Sequence, residues 1–168
     1  MIELNTKLLR ISGIEYESIV DGEGMRYVIF TQGCPHHCPG CHNPQTHSFD
    51  GGELVDVNKI LIDISKNKDY IDGITLSGGE PFCQSEQCSI IAEKAHEMDL
   101  SVWCYTGYLF EELYGRQDKL LNHIDVLVDG PFVLNERSLN LEFRGSKNQR
   151  IINVPDSLIT GKTVLKYY

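Results

Sequence analysis

The spacing of its apolar runs constrains this chain most. Runs of Ile, Leu, Val and aromatic residues centre near positions 74, 103, 126 and 151, about 23 to 29 residues apart. Helical periodicity fills at least the first two gaps. Cys88, Ile91, Ala92 and Ala95 place a helix over about 85–99, and 108–121 reads as helical with a break near Gly115. Upstream, Val57, Ile60, Leu61 and Ile64 mark another helix, and Leu8 to Ile14 and Tyr27 to Thr31 read as strands. A last strand, Arg150 to Val154, is stopped by Pro155. This alternation predicts an α/β fold of βαβ units, with right-handed crossovers and a mostly parallel curved sheet. A complete eight-fold βα barrel takes about 250 residues, and this chain has 168. The expectation is a partial, open βα barrel, forming a single domain over 1–168.

In such sheets the chemistry sits at the carboxyl ends of the strands. Three loops leave those ends: Ser77-Gly78-Gly79-Glu80-Pro81, Thr106-Gly107 and Asp129-Gly130-Pro131. A fourth, from Gln32 to about Asp50, also follows a strand and is aperiodic and rich in Cys, Pro, Gly and His.

Charge narrows the partners. Lys and Arg number 15 against 24 Asp and Glu, a net −9, which argues against a broad grip on nucleic acid or an anionic membrane. It leaves room for a local anion site. No apolar stretch approaches the roughly 18 residues of a membrane span. The opening MIELNTKLLR lacks the pattern of a secretory leader, so a cytoplasmic protein is expected. There are six cysteines, but disulfide frameworks belong to small secreted chains. Their distribution says more. Cys34, Cys38 and Cys41 fall within eight residues, whereas Cys83, Cys88 and Cys104 are scattered and read as ordinary buried thiols.

The tight trio, spaced C-x3-C-x2-C in GCPHHCPGCHNP, offers soft ligands for zinc or an iron–sulfur cluster. A structural zinc wants four protein ligands, and so does an electron-transfer cubane. Only three are local here. One reading is a four-iron cube with one iron left open for a substrate. The other is a zinc knuckle whose fourth ligand is Cys83, Cys88, or one of His36, His37 and His42. In the Ser77–Pro81 segment, two glycines let a backbone approach a ligand closely, and Glu80 adds an acceptor for an ammonium group. Alone, that segment reads as a tight strand-to-helix turn.

Together the two segments resemble the radical S-adenosylmethionine (SAM) superfamily: the cysteine trio its cluster loop, SGGEP the stretch that binds the SAM amino group. Asp21-Gly22-Glu23-Gly24-Met25-Arg26 is similar to the DGPGxR stretch of enzymes that activate glycyl-radical proteins, with Glu23 in the usual proline position. Cys41-His42-Asn43-Pro44 resembles the same group. Trp103 to Tyr108, Val126 to Phe132 and Phe143 to Arg150 resemble the activating proteins of anaerobic ribonucleoside-triphosphate reductase, so the likeness runs over about 10–155. It implies that Cys34, Cys38 and Cys41 hold a [4Fe–4S] cluster and that SAM chelates the fourth iron. It also implies SAM contacts from Gly40, Cys41, His42, Ser77, Gly78, Gly79, Glu80 and Asp129. The implied reaction is one-electron cleavage of SAM and removal of a glycine hydrogen on the reductase. An external reductant such as a flavodoxin-type protein would supply the electron. Arg26 is either a further SAM contact or the partner of an internal carboxylate. Another activase, for example of a formate-lyase, shares most of these features. The polar run from Arg144 to Arg150 is either a partner contact or a solvated loop.

Overall fold

The computed structural model describes residues 7–168, so most of the opening segment read above for a leader lies outside the described residues. Strands β1 (Leu8–Ser18) and β2 (Arg26–Thr31) form an antiparallel pair, and the cysteine loop follows β2. Next come a short strand β3 (Glu53–Asp56) and helix α1 (Val57–Asn67), whose first turn is capped by the Asp56 carboxylate accepting from Asn58 N at 2.8 Å. Strand β4 (Gly73–Gly78) leads through a one-turn 3-10 segment into α2 (Ser85–Glu97), and β5 (Ser101–Tyr105) follows. Two single-turn helices, α3 (Phe110–Leu113) and α4 (Asp118–Leu121), flank Gly115, whose φ of 77° breaks what would be one helix. Strands β6 (Val126–Asp129) and β7 (Arg150–Asn153) and helix α5 (Val154–Thr160) complete the chain.

One seven-stranded sheet runs β3-β1-β2-β4-β5-β6-β7. Its centre is parallel, β2 with β4, β4 with β5, and β5 with β6. Its flanks are antiparallel: β1 with β2, β1 with β3, and β6 with β7. The expected mostly parallel sheet is therefore corrected to a mixed one. The reason lies in the connections. Only the segments through α1, α2 and the α3–α4 pair are crossovers that return the chain in the same direction. The long excursion from Pro131 to Gln149 carries no crossover helix and brings β7 back antiparallel. Pro155 does more than stop the strand. It sits in the first turn of α5, where a missing N–H costs nothing, and the Asn153 side chain caps that turn by accepting from Asp156 N at 3.1 Å.

The two faces of the sheet are unequal, and strand alternation decides which residue goes where. Ile74, Leu76, Val102, Cys104, Leu127 and Ile152 point to one side and pack with α1 and α2 into the main core. Ile60 and Ile64 of α1 and Cys88, Ile91, Ala92 and Ala95 of α2 supply the facing stripe. Trp103, Val126, Val128 and Ile151 point to the other side and form a small cluster with Tyr105 and Phe143. No helix covers this second face among the described residues.

The sheet edges also differ. Beyond β7, Asn153 N donates to Val164 O at 2.8 Å and Lys166 N to Ile151 O at 2.7 Å, so the tail lies along that edge. At the far edge, β3 presents Glu53 and Asp56.

Candidate active site

The cysteine loop leaves the carboxyl end of β2 and is held there by glycine contacts. Gly79 N donates to Thr31 O at 2.7 Å and Glu80 N to Gly33 O at 2.9 Å, tying the turn after β4 to the residues just before Cys34. A Cβ on Gly79 would lie 2.4 Å from Gly33 O, and one on Gly78, whose φ is 92°, would lie 2.5 Å from Thr31 N. The two glycines expected to let a ligand approach thus let the cysteine loop approach.

Glu80 fastens the same junction. It is fully buried, and its carboxylate accepts from Thr106 Oγ1 at 2.9 Å, Gly107 N at 2.9 Å and Phe82 N at 3.1 Å. It also lies 2.7 Å from His36 Nε2, on the cysteine loop. One carboxylate therefore joins the loops after β2, β4 and β5. The acceptor expected to meet an ammonium group is already taken by protein donors. Asp129 is likewise fully buried and engaged, receiving Arg150 Nε at 3.0 Å and Phe110 N at 2.8 Å. Strand parity gives the reason. Asp129 shares the helix-side face with Leu127, whereas Val128 faces the open side.

Arg26 is elsewhere. It starts β2, at the amino end of the parallel strands, and is buried against Ser101 Oγ (2.7 Å), Thr75 Oγ1 (3.1 Å), the Glu23 carbonyl (3.2 Å) and the Ile74 carbonyl. Among the described residues no carboxylate pairs with it directly, and burial lowers its pKa to about 10. It braces the strand ends opposite the cysteine loop.

Over the uncovered face lies a cavity of about 800 Å³, lined among others by Cys41, His42, Ser77, Tyr105, Asp21 and Arg144. Of the residues expected at a SAM site, Cys41, His42 and Ser77 line this cavity. Gly40 is exposed and turned at φ 75° toward Leu134. Tyr105 projects into it with its hydroxyl donating to Phe143 O at 2.6 Å, and burial raises its pKa. Tyr105, Asp21 and Arg144 all fall in segments marked by the family resemblance, but their meeting in one cavity was not legible, because Asp21 and Arg144 come from irregular loops without periodicity.

All six cysteines are free thiols. Cys34 is buried, and desolvation raises its pKa, with the Glu80 charge adding to the shift. Cys41 Sγ accepts from Asn43 N at 3.4 Å, and Cys41 N donates to Cys38 O at 3.1 Å. Amide donors to sulfur are what tune cluster thiolates. Three soft donors on one turned loop, one with an amide already on its sulfur, fit an iron–sulfur cluster. Cys88 and Cys104 are fully buried in the main core, as ordinary thiols would be. Cys83 is instead exposed, although desolvation and then the Glu80 charge push its thiol up to about 11. Among the described residues no three His, Cys, Asp or Glu side chains are grouped to hold a single metal ion.

The 4Fe-4S single cluster domain family matches residues 20–152. Proteins bearing the name anaerobic ribonucleoside-triphosphate reductase-activating protein are similar over most of the chain. That of Haemophilus influenzae is 36% identical over 140 residues, covering 79% of this chain and 90% of its own. That of Vibrio cholerae is 37% identical over 142 residues with the same coverage, and that of phage T4 is 36% identical over 144 residues, covering 83% and 90%. Among solved structures, QueE from Escherichia coli covers 60% of this chain and 53% of its own at a TM-score of 0.47 and 16% identity. No helix among the described residues is long and apolar enough to cross a membrane.

Proposed function

The chain belongs to the family of anaerobic ribonucleoside-triphosphate reductase-activating proteins and to the 4Fe-4S single cluster domain family, and on that premise we propose that it is a radical SAM activase generating a glycyl radical on that reductase. The observation that carries this is the placement of the cysteine loop. It opens, through Cys41 and His42, into a large cavity on the face of the sheet that no helix among the described residues covers.

Cys34, Cys38 and Cys41 are the residues that would hold the cluster. Bound together and supplied with one electron, cluster and SAM would provide the reductive radical chemistry that places a glycyl radical on the reductase. The chain's own residues orient and enclose. Cys41, His42 and Ser77 face the cavity beside the SAM site, and Gly40, Gly78 and Gly79 shape the backbone around it. Glu80 and Asp129 act as positioning residues, one holding the cysteine loop and the other holding the loop after β6 through Arg150. Tyr105, Phe132 and Phe143 give the cavity an apolar wall that limits water. We read the uncovered face as the interior of an open barrel, and the chain as one domain, because a single sheet carries every site residue. An external one-electron donor, such as a flavodoxin-type protein, fits a chain with one cluster loop and no second cofactor motif.

Anaerobic purification followed by iron and sulfide analysis, dithionite-driven SAM cleavage and electron paramagnetic resonance tests the reading. Four irons per chain, release of 5′-deoxyadenosine, and a glycyl radical formed on the reductase but not on a formate-lyase are expected. One zinc with no iron or sulfide overturns it.

A further inference from the structure

Arg144 lines the cavity. Its Nη1 donates to Gln149 O at 2.7 Å, while its Nε is buried with no partner. Among the described residues it forms no ion pair. A guanidinium N–H out of water and without an acceptor carries a desolvation cost that an anion would relieve. Its location is specific. A Cβ on the neighbouring Gly145 would lie 3.5 Å from His42 Nε2, next in sequence to Cys41, so Arg144 stands beside the cluster loop.

The segment is also rigidly held. Gln149 Oε1 accepts from Gly145 N at 2.9 Å and Ser146 N at 3.2 Å, and Gln149 Nε2 donates to Gly130 O at 3.1 Å. Asn148 Nδ2 donates to Pro131 O at 2.7 Å. The loop is thus clamped to the end of β6 while its arginine is left without an anion.

We propose that Arg144 is the anion-binding group of this cavity and takes the carboxylate of SAM. The inference rests on the function proposed above. At neutral pH, SAM carries a cationic sulfonium, a cationic ammonium and one carboxylate, so the carboxylate is its one complement to a guanidinium. The planar fork matches a carboxylate with two parallel donors. The cavity's acidic residues, Asp21 and Glu142, suit the two cationic groups.

Equilibrium binding of SAM and of decarboxylated SAM to the anaerobic, cluster-loaded chain tests this. R144Q is expected to weaken SAM by about ten- to a hundredfold, the range of a charge-assisted hydrogen bond. R144K, which keeps the charge without the fork, weakens it less. Decarboxylated SAM binds the wild type and both variants alike. Equal losses for the two ligands, or unchanged SAM binding with weaker binding of the reductase, overturn the assignment. Failure of the wild type to bind SAM overturns the proposed function together with it. Iron content and melting temperature report folding, and if R144Q loses them, the same comparison of ligands is made with R144K.

Discussion

Replacing Glu80 by Gln keeps its shape and changes its hydrogen-bonding capacity, which makes the consequence calculable. Oε2 faces Gly107 N and His36 Nε2, and Oε1 faces Phe82 N. A carboxamide has one acceptor oxygen, so in either orientation its NH2 points at a backbone N–H. That donor is left buried and unpaired, at a cost of about 1–3 kcal/mol, and the remaining bonds lose their charge assistance. A total near 3 kcal/mol is a large share of the roughly 5–15 kcal/mol that stabilises a domain. Anaerobic urea unfolding of the wild type and E80Q gives the difference directly. Amide hydrogen exchange gives its location. Residues 33–38 and 105–108 should exchange faster together, because one carboxylate holds both loops. The double variant E80Q/T106V should cost less than the sum of its parts, since Thr106 donates to the same oxygens. A loss of under about 0.5 kcal/mol, the size of an ordinary surface substitution, with unchanged exchange at both loops would refute the view that Glu80 fastens the site.

C38A should abolish iron binding and SAM cleavage, whereas C88A, a core substitution, should lower stability by about 1–2 kcal/mol with full iron content; loss of the cluster in C88A would overturn the three-cysteine assignment. G79A should destabilise the cysteine loop, because its Cβ meets Gly33 O at 2.4 Å, a backbone atom that has no rotamer to escape to; iron retention during gel filtration measures it. Hydrogen bonds from Arg150 hold the Glu111 pKa down at about 2, from an ordinary 4.5. A depressed carboxylate stabilises above its unfolded value and loses that contribution as pH falls through the folded one. Acid unfolding between about pH 4.5 and 2 should therefore be shallower in E111Q than in the wild type, and equal slopes would count against the pair.

Much of this was legible in the sequence, for reasons particular residues make plain. Helix α2 announced itself because Cys88, Ile91, Ala92 and Ala95 all bury on one stripe. The break at Gly115 was visible because a left-handed turn suits glycine best. Strand β3 was missed because four residues with acidic ends make no apolar run, and its pairing is supplied by β1 from more than forty residues away. The direction of β7 was hidden too, since nothing local distinguishes a returning strand from a crossing one. At the site, the cysteine trio stood out by its C-x3-C-x2-C spacing. The engagement of Glu80 was not, because His36 and Thr106 reach it from distant loops. Asp129 is the instructive case. Counting alternation back from Val128 and Leu127 assigns it to the helix side, and that count needed only the knowledge of which face was bare.

The two sheet edges bear on how this protein keeps company with itself. An open row of strand amides is a template for pairing with another chain, and aggregation begins there. Here the β7 edge is met by the tail through Asn153 N and Lys166 N, while β3 offers a short row flanked by Glu53 and Asp56. Two copies meeting at β3 would set like charges side by side, a repulsion that weakens as salt rises. Acid or high ionic strength, which silences those carboxylates, is where self-association should first appear, and removal of residues 162–168 should bring it on at neutral pH by exposing the other edge.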